Sequence, residues 1–237
     1  MLKVAVRLLL VVSTVMCTGE GDCAGAAATG HWCVAVIVST GLAKLPRSNL
    51  QFGHQRRRMD NVNDEMVKLL APLTDSRRAH SIAVGRRMES IAENLPEYLR
   101  ADAVTAAYLH DVGYAVPGGL GFHPIDGARL LRSLGYSPVV CHLVAFHTAS
   151  VVEADVRDID PAVFEEFEVG DVAGLELAND FMWWADLSTG PSGQAFTVDE
   201  RIDEILSRYE AGSIVHTAIS RSAPLLRAAA QRAAGSM

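Results

Sequence analysis

Residues 97–114 read EYLRADAVTAAYLHDVGY, and this stretch indicates the fold class. Its middle is almost continuously apolar, and it lacks the strict alternation of apolar and polar residues that indicates a strand. The apolar positions are Ala103, Val104, Ala106, Ala107 and Leu109. A helix with apolar residues on most sides is typical of the centre of a helical domain. We therefore predict a central helix from Glu97 to His110, which stops at Asp111.

Helical signals continue on both sides of this stretch, and clear strand patterns are scarce from residue 61 onward. Thr74 or Asp75 can cap the preceding helix, and Thr197 with Glu200 forms a capping box near the C-terminus. The predicted helices cover residues 61–70, 75–95, 97–110, 124–135, 138–147, 169–187, 199–209 and 213–234. We see no repeat and no second core, so we predict one all-α domain, a single helical bundle over residues 61–237.

The charge of the chain is unevenly distributed. The net charge is −7, yet residues 1–60 hold seven basic and three acidic residues, which leaves 14 basic and 25 acidic residues in the remainder. An acidic domain of this kind argues against broad binding to nucleic acid or to anionic membranes. It still allows a phosphate ester to bind through a local cation.

The first sixty residues have a different character from the rest. Lys3 and Arg7 precede a short apolar run, as in a signal peptide, but the run is too short and interrupted for a stable membrane span. A poorly ordered extension, or a true start at Met59 or Met66, explains the same composition. Three of the four cysteines lie here, and no CxxC pattern occurs. We expect a cytoplasmic protein, with export as the alternative, and the sequence does not predict the oligomeric state.

Histidines and aspartates recur at the ends or in the middle of the predicted apolar helices. Five of the eight histidines fall between positions 80 and 147. A buried imidazole needs a hydrogen bond, a carboxylate or a metal ion, because burial without a partner is costly. The ordered set consists of His80, His110, Asp111, His123, His147 and Asp186. Helices of a bundle can bring such ligands together, and imidazole with carboxylate suits Mn, Fe, Zn, Ni or Co.

This order resembles the HD superfamily of metal-dependent phosphohydrolases over roughly residues 74–210. His80 is similar to the first ligand histidine of that family, His110 and Asp111 to its signature pair, and Asp186 to its final ligand aspartate. The resemblance implies a helical domain that holds one or two divalent ions, with Mg as a further candidate metal. It also implies a catalytic role for Asp111.

His123 and His147 are similar to the additional histidines of the dinuclear branch of the family. The Gly-Tyr-Pro motif of the cyclic-dinucleotide phosphodiesterases is absent, because Thr148-Ala149-Ser150 follows His147. Asp180 competes with Asp186 for the final ligand position, but the segment around Asp186 resembles the family better. We interpret His142 as a packing or surface residue.

The predicted function is hydrolysis of a phosphate ester, either a phosphomonoester, a phosphodiester or a nucleotide. Arg77 lies one helical turn before His80, on the same face, where it could bind a substrate phosphate; a solvated charge at the start of the helix is the other interpretation. Two alternatives use the same ligands: a di-iron oxygenase of the HD type, and a non-catalytic helical binding domain. The sequence does not identify the substrate.

Overall fold

The computed structural model describes residues 59–237, with side chains from Asp64 onward. The extension predicted over residues 1–60 lies outside this range except for its last two residues. Within it the fold is all-α, as predicted, and the one β-type contact is an isolated bridge between Thr189 and Ala195. The α-helices of this range are α1 (Met59–Leu70), α2 (Asp75–Ile91), α3 (Glu97–Leu109), α4 (His123–Ser133), α5 (Pro138–Ala145), α6 (Ser150–Val156), α7 (Leu175–Leu187), α8 (Val198–Arg208) and α9 (Ile214–Ala234).

The predicted central helix, α3, lies in the core. It packs against α2, α5 and α7, and its residues Leu99, Ala103 and Leu109 are almost completely buried. The contact with α2 is very close, because an added Cβ at Gly85 would lie 2.3 Å from the ring of Tyr108. The missing side chain at Gly85 leaves room for the Tyr108 ring, and His80 on α2 lies beside His110 at the end of α3, with the ring centres 5.2 Å apart.

Helices α8 and α9 close the other side of the domain. Thr197 and Glu200 form the predicted capping box at the start of α8. The two helices contact each other, and α9 also packs along α6 and α7. Ala149, Leu187, Ile202, Ala223 and Leu226 form a second, smaller apolar cluster there. This cluster supports the ends of α5 and α7, where two of the predicted ligands lie.

Several helix boundaries differ from the prediction. The predicted helix 75–95 ends at Ile91, and a short 3₁₀ helix follows it. The predicted helix 169–187 begins at Leu175, because Gly170 and Gly174 have φ values of 71° and 81° that interrupt a right-handed helix. The predicted helix 138–147 ends at Ala145 and is followed by a break before α6, which the sequence did not predict. By length and composition the segment Pro138–Val156 could cross a membrane, but half of its apolar window is buried in the domain.

Candidate metal centre

Five different elements bring the six predicted ligand residues to one place. His80 lies within α2, and His110 with Asp111 follows α3. His123 is the first residue of α4, and His147 lies in the short 3₁₀ turn after α5. Asp186 is the penultimate residue of α7. The structure therefore places all six residues of the predicted set together, although they are up to 106 positions apart in the chain.

The six side chains form two groups of three. In the first group, ligand atoms of His80, His110 and Asp186 all lie within 4.8 Å of one another. His80 Nε2 is 2.9 Å from Asp186 Oδ1, and His110 Nε2 is 3.8 Å from the same oxygen. In the second group, Asp111, His123 and His147 satisfy the same 4.8 Å limit. The Nε2 atoms of the two histidines of this group are 3.1 Å apart.

The carboxylate of Asp111 faces both groups. Its Oδ2 atom is 3.4 Å from His110 Nε2 and 3.9 Å from His80 Nε2. Its Oδ1 atom is 3.5 Å from His123 Nε2. One carboxylate with one oxygen towards each group has the arrangement needed to contact two cations at once.

Three of the histidines are oriented by the backbone. The Nδ1 atom of His80 lies 3.0 Å from the carbonyl of Gly190, that of His110 lies 2.9 Å from Ala107, and that of His147 lies 2.6 Å from Val144. A carbonyl only accepts hydrogen bonds, so each Nδ1 must carry the proton and donate. In the neutral form of each ring the lone pair of Nε2 then points into the cluster, as in metal-binding histidines.

The buried Nε2 atom of His110 shows that these residues fit a metal ion. It is fully enclosed, and no group of the described residues makes a hydrogen bond to it; Asp111 Oδ2 lies 3.4 Å away. Leaving a buried polar atom without a partner costs about 1–3 kcal/mol. A cation held by imidazole and carboxylate would remove this cost, and the donor set has the composition of a transition-metal site.

The electrostatics of the cluster favour positive charge. Burial lowers the pKa of His110, but Asp111 and Asp186 outweigh it and raise that pKa to about 9. Burial opposes ionisation of both aspartates, yet the neighbouring imidazoles hold the pKa of each one well below its usual range. Arg77 lowers the pKa of Asp111 further. The two carboxylates are therefore ionised and attract a cation.

The two histidines of the second group, His123 and His147, favour the uncharged form. Burial is the largest influence on both residues and lowers the pKa of His123 and of His147 below the usual value. A neighbouring imidazole lowers each pKa further, whereas Asp111 raises both without outweighing burial. A neutral imidazole keeps the lone pair that a metal ion requires.

Arg77 is part of a stacked arrangement at the edge of the cluster. Its Nη1 atom donates to Asp111 Oδ2 at 2.8 Å, and its guanidinium carbon lies 3.7 Å from the centre of the Tyr114 ring. The other face of Tyr114 stacks on His123, with the ring centres 4.0 Å apart. The Arg77 side chain is 36% exposed, so it borders both the carboxylates and solvent. It is not a freely solvated charge at the start of a helix.

The competing residues are engaged elsewhere. Asp180 is buried and accepts two hydrogen bonds from Arg232, at 2.6 and 2.7 Å. His142 donates from Nδ1 to the carbonyl of Phe167 and accepts at Nε2 from Asn179. Neither residue contributes to the two groups of three.

Three further residues around the site were not among the predicted site residues. An added Cβ at Gly113 would lie 1.9 Å from the carbonyl oxygen of His123, so only glycine lets this turn approach α4. The Gly190 carbonyl orients His80, and the Thr148 hydroxyl donates to Asp186. The glycine in Asp-Val-Gly-Tyr was a visible signal, whereas the other two contacts depend on how distant segments pack.

Comparison with known proteins gives one family match. The model of the HD domain family matches residues 77–178, which include five residues of the ordered set and the whole of the central helix α3. No curated protein and no solved structure matches the chain. The match stops eight residues before Asp186, so the place of this residue in the site rests on the geometry above.

Proposed function

Because residues 77–178 carry an HD domain, a family of mostly metal-dependent hydrolases, we propose that the chain is a metal-dependent phosphohydrolase that cleaves a phosphate ester. One observation carries the proposal. Six imidazole and carboxylate side chains converge in two groups, and the enclosed Nε2 atom of His110 has no protein partner. A cluster with a purely structural role would pair its buried polar atoms within the protein.

We assign two divalent ions to the site, one to each group of three. His80, His110 and Asp186 would hold the first ion, and His123 with His147 would hold the second, with Asp111 facing both. A divalent metal ion supplies Lewis acidity, which polarises the phosphoryl group and generates a nucleophile from water near neutral pH. The histidine ligands favour Mn, Fe, Zn, Ni or Co over Mg.

Two side chains would act on the substrate in this proposal. Asp111 lies between the groups, where its carboxylate can accept a hydrogen bond from the attacking water and orient it towards phosphorus. Arg77 has its Nη1 atom on Asp111, while no described residue accepts from its Nε or Nη2 atoms. These donors can bind a phosphoryl oxygen. Hydrolysis then joins the water oxygen to phosphorus and breaks the bond to the leaving alcohol.

We propose a small phosphorylated compound as substrate, either a phosphomonoester, a phosphodiester or a nucleotide. Acidic residues outnumber basic ones in the chain by 28 to 21, which disfavours a long polyanion. Burial of the ligand residues also favours a compact substrate, because only a small group can reach the side chains of Asp111 and His110, which are at most 3% exposed.

Metal analysis of the purified protein, combined with a panel of phosphomonoesters, phosphodiesters and nucleotides, tests the proposal. We expect up to two ions per chain and turnover that is lost after chelation and restored by one of the divalent metals. The variants His110→Ala and Asp111→Asn should lose both metal and turnover. His216→Ala is the matched control, because the side chain of this half-buried histidine on α9 has its one described hydrogen bond with Ser220 of the same helix.

The outcomes separate this proposal from the other two functions. A protein without bound metal, whose stability is unaffected by His110→Ala, contradicts the metal site itself. Metal without turnover of any phosphate ester supports a non-catalytic binding domain. Bound iron with oxygen consumption supports a di-iron oxygenase.

A further inference from the structure

The backbone breaks sharply between α5 and α6, beside the metal centre. Thr148 and Ala149 have φ values of 49° and 55°, in the left-handed region that L-residues other than glycine rarely adopt. Threonine is branched at Cβ, which makes it one of the least suited residues for this conformation. Strain of this kind persists only where the surrounding structure imposes it, and it is concentrated at functional sites.

The surrounding residues do impose this break. The end of a helix leaves carbonyl groups without partners, and here three consecutive carbonyls each receive a side-chain donor. His147 Nδ1 donates to the carbonyl of Val144 at 2.6 Å, Ser150 Oγ to that of Ala145 at 2.6 Å, and Trp183 Nε1 to that of Phe146 at 2.9 Å. The helix therefore ends here with its polar groups satisfied, and the left-handed residues are held in place.

The consequence of the break is that the Thr148 side chain enters the metal centre. Its hydroxyl donates a hydrogen bond to Asp186 Oδ2. The other oxygen of this carboxylate, Oδ1, faces His80 and His110 at 2.9 and 3.8 Å. The two oxygens of Asp186 thus have separate partners, one a protein hydroxyl and the other the first group of ligands.

We propose that Thr148 is a positioning residue that makes Asp186 a one-oxygen ligand. The inference rests on the proposed metal site and concerns how that site is built. The hydroxyl occupies Oδ2 and fixes the carboxylate plane, so that Oδ1 alone is directed at the first ion. Without this donor the carboxylate can rotate and bind through both oxygens, which changes the number of ligands around the ion. The strained backbone is the structural requirement for placing this hydroxyl.

The test uses Co²⁺ binding to the full chain after removal of metal with a chelator. Affinity is measured by titration, and the visible absorption of bound Co²⁺ reports the coordination number. Thr148→Val keeps the shape of the side chain and removes the donor, so we expect affinity to fall about 10- to 100-fold, as for other residues that orient metal ligands, with an altered spectrum. Thr148→Ser keeps the hydroxyl and should retain the wild-type affinity and spectrum.

Two further variants separate the hydroxyl from the backbone. Thr148→Gly removes both the donor and the strain. We expect the same loss of Co²⁺ affinity as in Thr148→Val, with an equal or higher melting temperature. If Thr148→Val does not fold, Thr148→Gly tests whether the hydroxyl is needed for binding. Thr105→Val is the matched control, because the Thr105 hydroxyl bonds to the carbonyl of Ala101 on its own helix. It should leave Co²⁺ binding unchanged.

The results that overturn the inference are distinct from those that overturn the metal site. If the wild-type protein binds Co²⁺ and both Thr148→Val and Thr148→Gly bind it with the same affinity and spectrum, Thr148 does not position Asp186. If Thr148→Ser behaves like Thr148→Val, the hydroxyl is not the operative group. If the wild-type protein binds no metal, the proposed function fails, and this inference fails with it.

Discussion

Single hydrogen bonds to backbone carbonyls orient three histidines of the candidate metal centre, His80, His110 and His147. His110 and His147 both donate from Nδ1 to the carbonyl three residues earlier, where a helix has just ended. The residue types could be predicted from the sequence because a metal site requires imidazole and carboxylate donors, and their order was predicted from the family resemblance. The carbonyl of Gly190, which holds His80, could not, because it lies 110 positions away.

Arg77→Lys tests the role of the guanidinium at the edge of the site. Lysine keeps the charge but loses the flat group that stacks on Tyr114 and the additional donors for a phosphate. We expect kcat/KM on the active phosphate ester to fall about 10- to 100-fold, the effect of losing one charge-assisted hydrogen bond, with metal content unchanged.

The neighbouring arginine provides the control for this variant. Arg78 bonds to Asp75 and to the carbonyls of Ala71 and Leu73, away from the metal centre. Arg78→Lys should therefore leave kcat/KM at the wild-type value. Equal activity of Arg77→Lys and wild type would show that Arg77 does not bind the phosphate.

Two aspartates on α7 should respond in different ways to the same substitution. Asp186→Asn removes a charge from the first group of ligands, so we expect it to reduce bound metal. Asp180→Asn weakens the pair with Arg232, so we expect about 1 kcal/mol lower free energy of unfolding and unchanged metal content. Elemental analysis and urea denaturation distinguish these outcomes, and loss of metal in Asp180→Asn would contradict the assignment.

At the scale of the elements, helix starts with a side-chain cap were more predictable than the end of α5. Thr74, Ser137, Thr197 and Ser213 each accept a hydrogen bond from the backbone three residues later. A cap of this type is encoded locally, so a sequence pattern reveals it. The end of α5 is different, because Thr148 and Ala149 adopt a conformation that their residue types disfavour. Contacts with distant residues such as Trp183 impose it.

Gly113→Ala tests how the turn after α3 is placed against α4. The new Cβ would meet the carbonyl oxygen of His123 and force the two elements apart. We expect the free energy of unfolding to fall by about 1–3 kcal/mol through overpacking, and the metal content to fall because His123 moves away from Asp111. Urea denaturation and elemental analysis measure the two effects.

A glycine at the C-terminus serves as the control for this substitution. An added Cβ at Gly235 meets nothing nearer than 3.5 Å. Gly235→Ala should therefore leave stability and metal content unchanged. If Gly113→Ala behaves in the same way, the close approach of the turn to α4 is not required for the site.

For the whole molecule, the sequence predicted the all-α class, and the family resemblance predicted the order of the candidate ligands with His123 and His147 as an additional pair. The contacts between these side chains were not predicted. Helical periodicity is visible in the sequence, and the ordered set follows the family pattern. Whether His123 joins His147 or His80 depends on how α4 packs against α5 and on the turn after α3. Such packing is a tertiary property, since it arises between segments that are distant in the chain.

Removal of metal should destabilise the whole domain. The ligands come from five separate elements, so the unfolded chain cannot offer the site, and binding favours the folded state. At a free metal concentration of about 100 times Kd, we expect chelation to lower the free energy of unfolding by about 2.7 kcal/mol. Urea denaturation with and without chelator measures this difference, and it should vanish in His110→Ala. An unchanged wild-type transition at that occupancy would contradict the proposed site.

The hydrogen bond from Trp183 to the carbonyl of Phe146 joins α7 to the residue before His147. The same tryptophan lies three positions before Asp186 on α7, so it is close in the chain to one candidate ligand and hydrogen-bonded to the residue before another. The fluorescence of Trp183 should therefore report on metal binding. Binding of a paramagnetic ion such as Co²⁺ should quench the native tryptophan emission, so the filling of the site can be followed in real time without a dye.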